Sequence, residues 1–197
     1  MTATQIANLI LIALVAAAAA SCASAPARFY NLDSTATPDG VPATRDAVMV
    51  GPVSIPASVD QPEFVVQVAP NRVEVDEFNR WDAPLNDAIA QAVAGDLVKL
   101  LGTPDVTSAP MANFVPAYRV TIDVQRFDSV PSRSALVEAV WTVRRTAGGE
   151  TRSGRTTAPE AVQGDSFDAL AAAHSRALAR LSGDIATAIR AEAENQR

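Results

Sequence analysis

The side chains best suited to chemistry belong to two residue types that each occur once. Cys22 is the only cysteine and His174 the only histidine among 197 residues. A histidine-based triad or metal site would have to use His174, and an intramolecular disulfide is excluded. His174 falls on the apolar stripe of a predicted C-terminal helix, a position that favours a packed histidine over a catalytic one.

No other motif assembles a catalytic site. The chain has neither a Gly-x-Ser-x-Gly nucleophile turn nor a glycine-rich phosphate-binding loop before a helix. Glu74, Asp76 and Glu77 form a carboxylate cluster on a predicted strand. Its apolar residues, Val73 and Val75, alternate with the carboxylates, which places Glu74 and Asp76 on the face that is normally solvated. Such a face could bind a cation weakly, but the sequence predicts no enzymatic activity, cofactor or metal site.

Cys22 follows an apolar segment near the start of the chain. Residues 9–15 and the alanines after them are typical of the apolar core of a signal peptide, which is shorter than the ~20 residues of a membrane span. A lone cysteine at that point predicts a lipoprotein signal over residues 1–21, with cleavage before Cys22 and acylation of its thiol. Two or three acyl chains suffice for stable attachment to a membrane.

An ordinary secretory signal with an incidental cysteine is the alternative. Ala19, Ala20 and Ser21 precede Cys22, although a leucine-like residue is usual at the first of these positions, and residues 1–8 contain no lysine or arginine. We prefer the lipoprotein interpretation because the only cysteine coincides with the end of the apolar segment. Ala23, unlike an aspartate, does not favour retention in the inner membrane.

Composition limits the binding partners. The chain has 16 basic and 22 acidic residues, for a net charge of -6. This acidity argues against nucleic-acid binding and against electrostatic attachment to anionic lipid, so membrane attachment must come from the acyl chains. A local exception is a group of arginines around the Gly148–Gly149 turn, which could meet across a hairpin and contact lipid headgroups or a partner. It comprises Arg144, Arg145, Arg152 and Arg155.

Hydrophobic periodicity predicts the elements that position these residues. We expect strands at 28–32, 48–56, 63–68, 71–78, 118–127, 135–144 and 151–161. The stretch 33–46 reads as a flexible loop. One helix follows Asp82 and a second follows Asp165, each aspartate being the predicted N-cap. The order predicts a single α+β domain, with a largely antiparallel sheet and two main helices packed on one face.

Two stretches stand out as binding or structural elements. Pro52 interrupts the strand at 48–56, which suggests an edge position or a bulge. We therefore expect Val50, Pro52 and Ile55 to contact a partner, together with Arg144, Arg145 and Arg152. At the strand-to-helix junction, Trp81 and Pro84 are predicted to be structural, Trp81 as a packing anchor and Pro84 in the first helical turn.

These stretches resemble a known family, the ABC-type transport auxiliary lipoproteins or PqiC-like proteins, over essentially the whole mature region. Residues 79–85, Asn-Arg-Trp-Asp-Ala-Pro-Leu, carry the most specific similarity, since the family typically reads Arg-Trp-Ala-Glu-Pro-Leu there. Two departures are Gln61, where arginine is usual, and the order of Asp82 and Ala83. The other matching stretches are 29–32, 50–56, 59–66 and 175–186.

The resemblance implies an outer-membrane lipoprotein that faces the periplasm and works with an MCE-domain protein and inner-membrane transport components. The small residues after Cys22 predict a tether at 22–28, and the polar end of the chain predicts a disordered tail at 193–197. Between them we expect the PqiC-like domain at 29–192. A structural lipoprotein that scaffolds an envelope complex without contacting lipid is the alternative function. Self-association into a homo-oligomer is left open.

Overall fold

A computed structural model describes Gln5 and residues 26–109, 111–149 and 151–194. The predicted acylation site, Cys22, lies outside these residues, as do most of the predicted signal peptide and residues 195–197. From residue 26 to residue 194 the described elements are β1 (Arg28–Tyr30), β2 (Val48–Ser54), β3 (Glu63–Ala69), β4 (Arg72–Trp81), α1 (Leu85–Leu101), β5 (Val106–Thr107), β6 (Tyr118–Val130), β7 (Ser134–Arg145), β8 (Thr151–Ala161) and α2 (Phe167–Glu194).

The strands form two mixed sheets. The larger has the order β5-β2-β6-β7-β8, and the smaller has the order β1-β4-β3. The long pairs β3–β4, β6–β7 and β7–β8 are antiparallel, whereas β1–β4, β2–β5 and β2–β6 are parallel. The predicted α+β single domain is confirmed. β1 and β3 both pair with β4 in the smaller sheet, whereas β2 pairs with β5 and β6 in the larger sheet.

The main core lies between the larger sheet and the two helices. α1 packs on β2, α2 packs on β7 and β8, and the helices also contact each other. In β7 every second residue from Ala135 to Val143 is buried, which gives that strand one apolar face under α2. In α1 the apolar stripe predicted from helical spacing is buried, and it comprises Leu85, Ile89, Val93, Leu97 and Leu100.

An aromatic cluster joins the smaller sheet to this core. The rings of Phe64 and Trp81 stack with their centroids 4.0 Å apart. The rings of Tyr30 and Phe167 each contact the ring of Phe64 in an edge-to-face arrangement, with centroid distances of 5.4 and 5.2 Å. Trp81 in turn meets Phe127 of β6 at 6.0 Å. β1, β3, β4, β6 and α2 are therefore connected through one set of rings.

The helix starts differ from the predicted ones. α1 begins at Leu85 with Pro84 at its N-cap and no side-chain cap, so the assignment of Asp82 as N-cap is wrong. The backbone oxygen of Pro84 accepts the N–H groups of Asp87 and Ala88. At the start of α2, the hydroxyl of Ser166 accepts the N–H of Ala169 at 3.1 Å. Ser166, and not Asp165, thus supplies the side-chain cap.

The helix ends are marked by different features. Gly102 follows α1 in the left-handed conformation, at φ 65, and its N–H donates to the oxygen of Val98, as its sequence position predicts. α2 continues through Ala193 and Glu194, two residues that the sequence assigned to the tail. In the described part of the chain, neither helix is both long and apolar enough to span a membrane.

The segment between β1 and β2 has no regular structure, but it is fixed to both helices. Asp96 of α1 is fully buried, and its carboxylate accepts the N–H of Ala36 at 2.8 Å. The Thr35 hydroxyl donates to the backbone oxygen of Ser175 in α2. Farther along, Arg190 pairs with Asp39. The predicted flexible loop is therefore a strap across α1 and α2, held by partners distant in sequence.

The outer part of the β3–β4 hairpin projects beyond the core. Alternation with the carboxylates predicts that Val73 and Val75 lie on a buried face, but they are 60% and 49% exposed, so this expectation is wrong. Their cross-strand partners are Gln67 and Val65. The alternating pattern is present, but in the described part of the chain the two valines stay largely exposed. An apolar hairpin surface is left exposed.

Candidate functional site

The predicted tether enters the fold at the smaller sheet. β1 pairs in parallel with the end of β4, and Tyr30 lies opposite Trp81. Phe29, between the tether and Tyr30, is 64% exposed. An acyl group on Cys22 would therefore hold the domain close to the junction of β1 and β4, because only a few residues separate the two.

β2 is only partly covered along one edge. β5 pairs with Val48 and Met49 alone, and the register with β6 shifts between Val50 and Val53. Pro52 lies in that bulge, as one of the two sequence-based interpretations predicted. Among the described residues, nothing pairs with the β5 side of β2 beyond Met49.

The three predicted contact residues of β2 differ in accessibility. Val50 is 1% exposed and packs in the core, so its assignment to a partner surface is wrong. Pro52 is exposed, whereas Ile55, just after the strand, is half-buried against the core. Only Pro52 and Ile55 thus remain available to a partner. Val50 closes the fully buried part of the strand, Val48 to Val50, whereas Pro52 lies in the bulge that follows.

β2 leads into a loop that borders a depression on the exposed side of the hairpin. Ser58 and Val59 of this loop lie on one side, and Val65 and Val73 lie on another. We call this surface the hairpin depression. Its lining is Ser58, Val59, Val65, Gln67, Val73, Arg126, Phe127, Asp128 and Ser129. The lining is mixed: three valines and Phe127 lie beside five polar or charged residues.

The arginines of the β7–β8 turn lie on opposite faces of the sheet, so the expectation that all four meet is wrong. Arg145 and Arg152 are on the helix side, where Arg152 pairs with the buried Glu192 of α2. Arg144 and Arg155 are on the outer side, where Arg155 pairs with Glu138. Adjacent residues of a strand point to opposite faces, which separates Arg144 from Arg145.

The outer face brings Arg144 together with an arginine that the sequence analysis did not select. Arg119 of β6 is the direct cross-strand partner of Arg144. In the next row along the strands, Thr121 lies opposite Thr142, and the hydroxyls of Thr142 and Ser153 are 3.1 Å apart. The sequence does not single out Arg119, because its position opposite Arg144 depends on the register of β6 and β7.

His174 lies next to a serine in the core. Its Nε2 is 2.8 Å from Oγ of Ser129, and its ring stacks on Phe127 with centroids 3.9 Å apart. His174 is fully buried, and this burial lowers its pKa to about 3. The histidine is packed, as predicted.

A serine and histidine at this distance can act as nucleophile and base when a third group orients the base. Here Nδ1 of His174 has no hydrogen-bond partner within the described structure. The imidazole is also fully enclosed, so no substrate reaches it in this conformation. The pair therefore has the geometry of a buried polar contact.

Trp81 and Pro84 lie where a structural role is expected. Trp81 is 4% exposed and contacts Phe64, Phe127 and His174. Pro84 begins α1, as described above. In the described residues, no three histidine, cysteine, aspartate or glutamate side chains are grouped to hold a metal ion.

Comparison with protein families identifies the relationship. A family model described as ABC-type transport auxiliary lipoprotein component matches residues 30–186. The chain belongs to this family. The match begins at Tyr30, two residues after the end of the predicted tether, and ends within α2. Members of the family are auxiliary components of ABC-type transport systems, and a lipoprotein is held at a membrane of the cell envelope.

Solved structures show the same fold. The Xanthomonas campestris protein XCC0632 is 21% identical and superposes with a TM-score of 0.71, over 87% of this chain and 100% of the other. A second protein, described as uncharacterized, is 18% identical with a TM-score of 0.69, over 84% and 99% of the two chains. Comparison with curated proteins found no match.

Proposed function

We propose that this chain is an outer-membrane lipoprotein, anchored by Cys22 and facing the periplasm. In this proposal it is the auxiliary component of an MCE/ABC-type system that moves lipid between the two membranes, and it docks a partner without catalysing a reaction. The observation that carries the proposal is the family match over residues 30–186, which starts shortly after a lone cysteine at the end of an apolar segment.

The accessible surfaces support docking as the mode of action. Pro52 lies in the uncovered part of the β2 edge and Ile55 follows it. The loop after β2 borders the hairpin depression, where Val73 is 60% exposed beside the half-buried Val59 and Val65. Exposed apolar patches on a soluble domain commonly mark interaction sites. We propose that the MCE-domain partner binds across this surface. Arg144, Arg145 and Arg152 would lie outside it, and Arg152 is already paired with Glu192.

The burial of the one histidine supports the non-catalytic part of the proposal. Histidine-dependent chemistry would have to pass through His174, which is fully enclosed with its pKa lowered to about 3. At neutral pH the ring is uncharged and stacked on Phe127. Its substitution by glutamine should leave envelope-integrity phenotypes intact if the variant folds.

Replacement of the predicted acylation site tests the anchor. Cys22→Ala should move the protein from the outer-membrane fraction to the soluble fraction and abolish incorporation of labelled palmitate. Ser24→Ala is the matched control and should change neither result. A Cys22→Ala protein that fractionates with the outer membrane as before would refute the lipoprotein interpretation.

Lipid extraction distinguishes a docking protein from a lipid carrier. The purified protein should bind the periplasmic region of its MCE partner but remove little phospholipid from vesicles. Robust extraction by the protein alone would contradict the docking proposal and favour direct lipid carriage. If it does neither, the alternative of a structural lipoprotein that scaffolds an envelope complex is favoured.

A further inference from the structure

The outer face of the larger sheet carries two arginines in direct opposition. Arg119 and Arg144 are cross-strand partners on β6 and β7, a relationship that places their Cβ atoms about 5 Å apart. Like charges at such positions destabilise a strand pair. Among the ion pairs of the described residues, none involves Arg119 or Arg144, so no carboxylate there offsets the repulsion.

The acidic side chains of the same face are engaged elsewhere. Asp123 accepts a hydrogen bond from the hydroxyl of Ser54 at 2.6 Å and one from Gln125. It follows Arg119 by four residues along β6, a distance of about 13 Å in a strand. Glu138 is paired with Arg155. These carboxylates do not neutralise the two arginines. Arg119 and Arg144 therefore form a locally positive surface on a chain whose net charge is -6.

Hydroxyl groups lie beside the arginine pair. Thr121 and Thr142 are opposite each other in the adjacent row, and together with the two arginines they line one shallow depression. Arg144 is exposed, whereas Arg119 and both threonines are half-buried. The depression is thus open to solvent and has two guanidinium groups on one side and two hydroxyls on the other.

We propose that Arg119, Arg144, Thr121 and Thr142 bind a phosphate group, either that of a phospholipid headgroup or free inorganic phosphate. Guanidinium groups donate paired, charge-assisted hydrogen bonds to phosphate oxygens. The oxygens of a phosphate point in several directions and can accept from both arginines and a threonine at once. A carboxylate has only two oxygens and uses this arrangement less fully. The site does not depend on the transport partner proposed above.

Titration of the purified full-length protein in an uncharged detergent tests the site. The probes are inorganic phosphate, dihexanoylphosphatidylglycerol, and dihexanoylglycerol as the ligand without phosphate. We expect saturable binding of at least one phosphate ligand at one per chain and none of dihexanoylglycerol. Binding of both indicates a general phosphate site, and binding of the phospholipid alone indicates a headgroup site.

Two double variants that each remove two positive charges distinguish binding at this site from a general effect of net charge. Arg119→Gln/Arg144→Gln should weaken binding at least tenfold. Arg72→Gln/Arg180→Gln removes the same charge from two exposed arginines that have their own acidic neighbours, and it should change affinity less than twofold. Equal weakening in both double variants, or no saturable binding of either phosphate ligand, would overturn the proposal.

A second double variant keeps the test valid if the glutamine pair does not fold. Arg119→Lys/Arg144→Lys retains both charges but loses the planar fork of the guanidinium. We expect binding several-fold weaker than in the wild type, with unchanged thermal stability. Full wild-type affinity in the lysine pair would show that the arginines attract anions only as diffuse charge and would contradict the proposed site. The titration contains no transport partner, so its outcome is independent of the docking proposal.

Discussion

Nε2 of His174 lies 2.8 Å from Oγ of Ser129, in a core where His174 is 0% and Ser129 3% exposed. This contact joins α2 to β6, and the imidazole is also stacked on Phe127. The other ring nitrogen, Nδ1, has no hydrogen-bond partner in the described structure. Burial of an unpaired polar atom costs about 1–3 kcal/mol, so the histidine is retained in the core at a cost in stability.

The first prediction is a loss of stability in acid that depends on His174. Burial lowers its pKa from 6.5 to about 3. Between these values the unfolded chain binds a proton that the folded protein does not bind, so stability falls as the pH decreases through this window. At two pH units below the unfolded pKa, the loss is about 2.7 kcal/mol.

Urea unfolding at pH 7.5 and pH 4.5 measures this contribution. The wild type should lose about 2.7 kcal/mol more between the two pH values than His174→Gln, whose side chain does not titrate. Other ionisable groups act similarly in both proteins, so the difference between the profiles isolates the histidine. Parallel profiles for the two proteins would show that His174 is not buried in its neutral form.

The second prediction concerns Trp81. Its ring is 4% exposed and stacks on Phe64 at 4.0 Å, so Trp81→Ala should lower the free energy of unfolding by about 3–5 kcal/mol. Phe29→Ala is the control, because Phe29 is 64% exposed and its removal should change stability by no more than about 0.5 kcal/mol. If Trp81→Ala kept its melting temperature but lost function, Trp81 would be a contact residue.

The third prediction compares two glycines that have different surroundings. A Cβ at Gly154 would overlap the six-membered ring of Trp141, whose Nε1 donates to Thr156 at 3.0 Å. Gly154→Ala should therefore destabilise the protein by about 1–3 kcal/mol.

Gly183, in the interior of α2, has nothing within 4 Å of the corresponding position, and Gly183→Ala should stabilise by about 0.5–1 kcal/mol. Chemical denaturation of both variants gives the comparison. Equal effects of the two substitutions would contradict the packing of Trp141 against β8.

The helices and most strands could be predicted from the sequence because each is indicated by the spacing of residues within its own span. Helical spacing located α1 and α2, and alternation located most strands. β5 was missed because two residues, Val106 and Thr107, carry no periodic pattern. The division into two sheets was also missed, since it depends on parallel pairing of β1 with β4 and of β2 with β6, which hydrophobic periodicity does not encode.

The candidate sites could not be predicted for the same reason, because they depend on contacts between residues that are distant in sequence. The Arg119–Arg144 pair requires the register between two strands, and the Ser129–His174 contact joins residues 45 positions apart. Val50 was assigned to a partner surface because the interruption at Pro52 suggested an edge, but the covering helix was not visible from that strand alone. The acylation of Cys22 stays a prediction, because Cys22 lies outside the described residues.

The central claim is that the surface from Ile55 to the hairpin depression docks an MCE-domain protein. Site-specific photo-crosslinking in intact cells tests it most directly, with a benzophenone side chain in place of Val73 and, as a matched control, of Val115. Both valines are exposed, at 60% and 78%. Val115 precedes β6, whereas Val73 lies near the far end of that strand, beside Arg126 to Ser129. We predict a crosslink to the MCE-domain protein from position 73 and none from position 115; no such crosslink from 73, or equal crosslinking from both, would contradict the account.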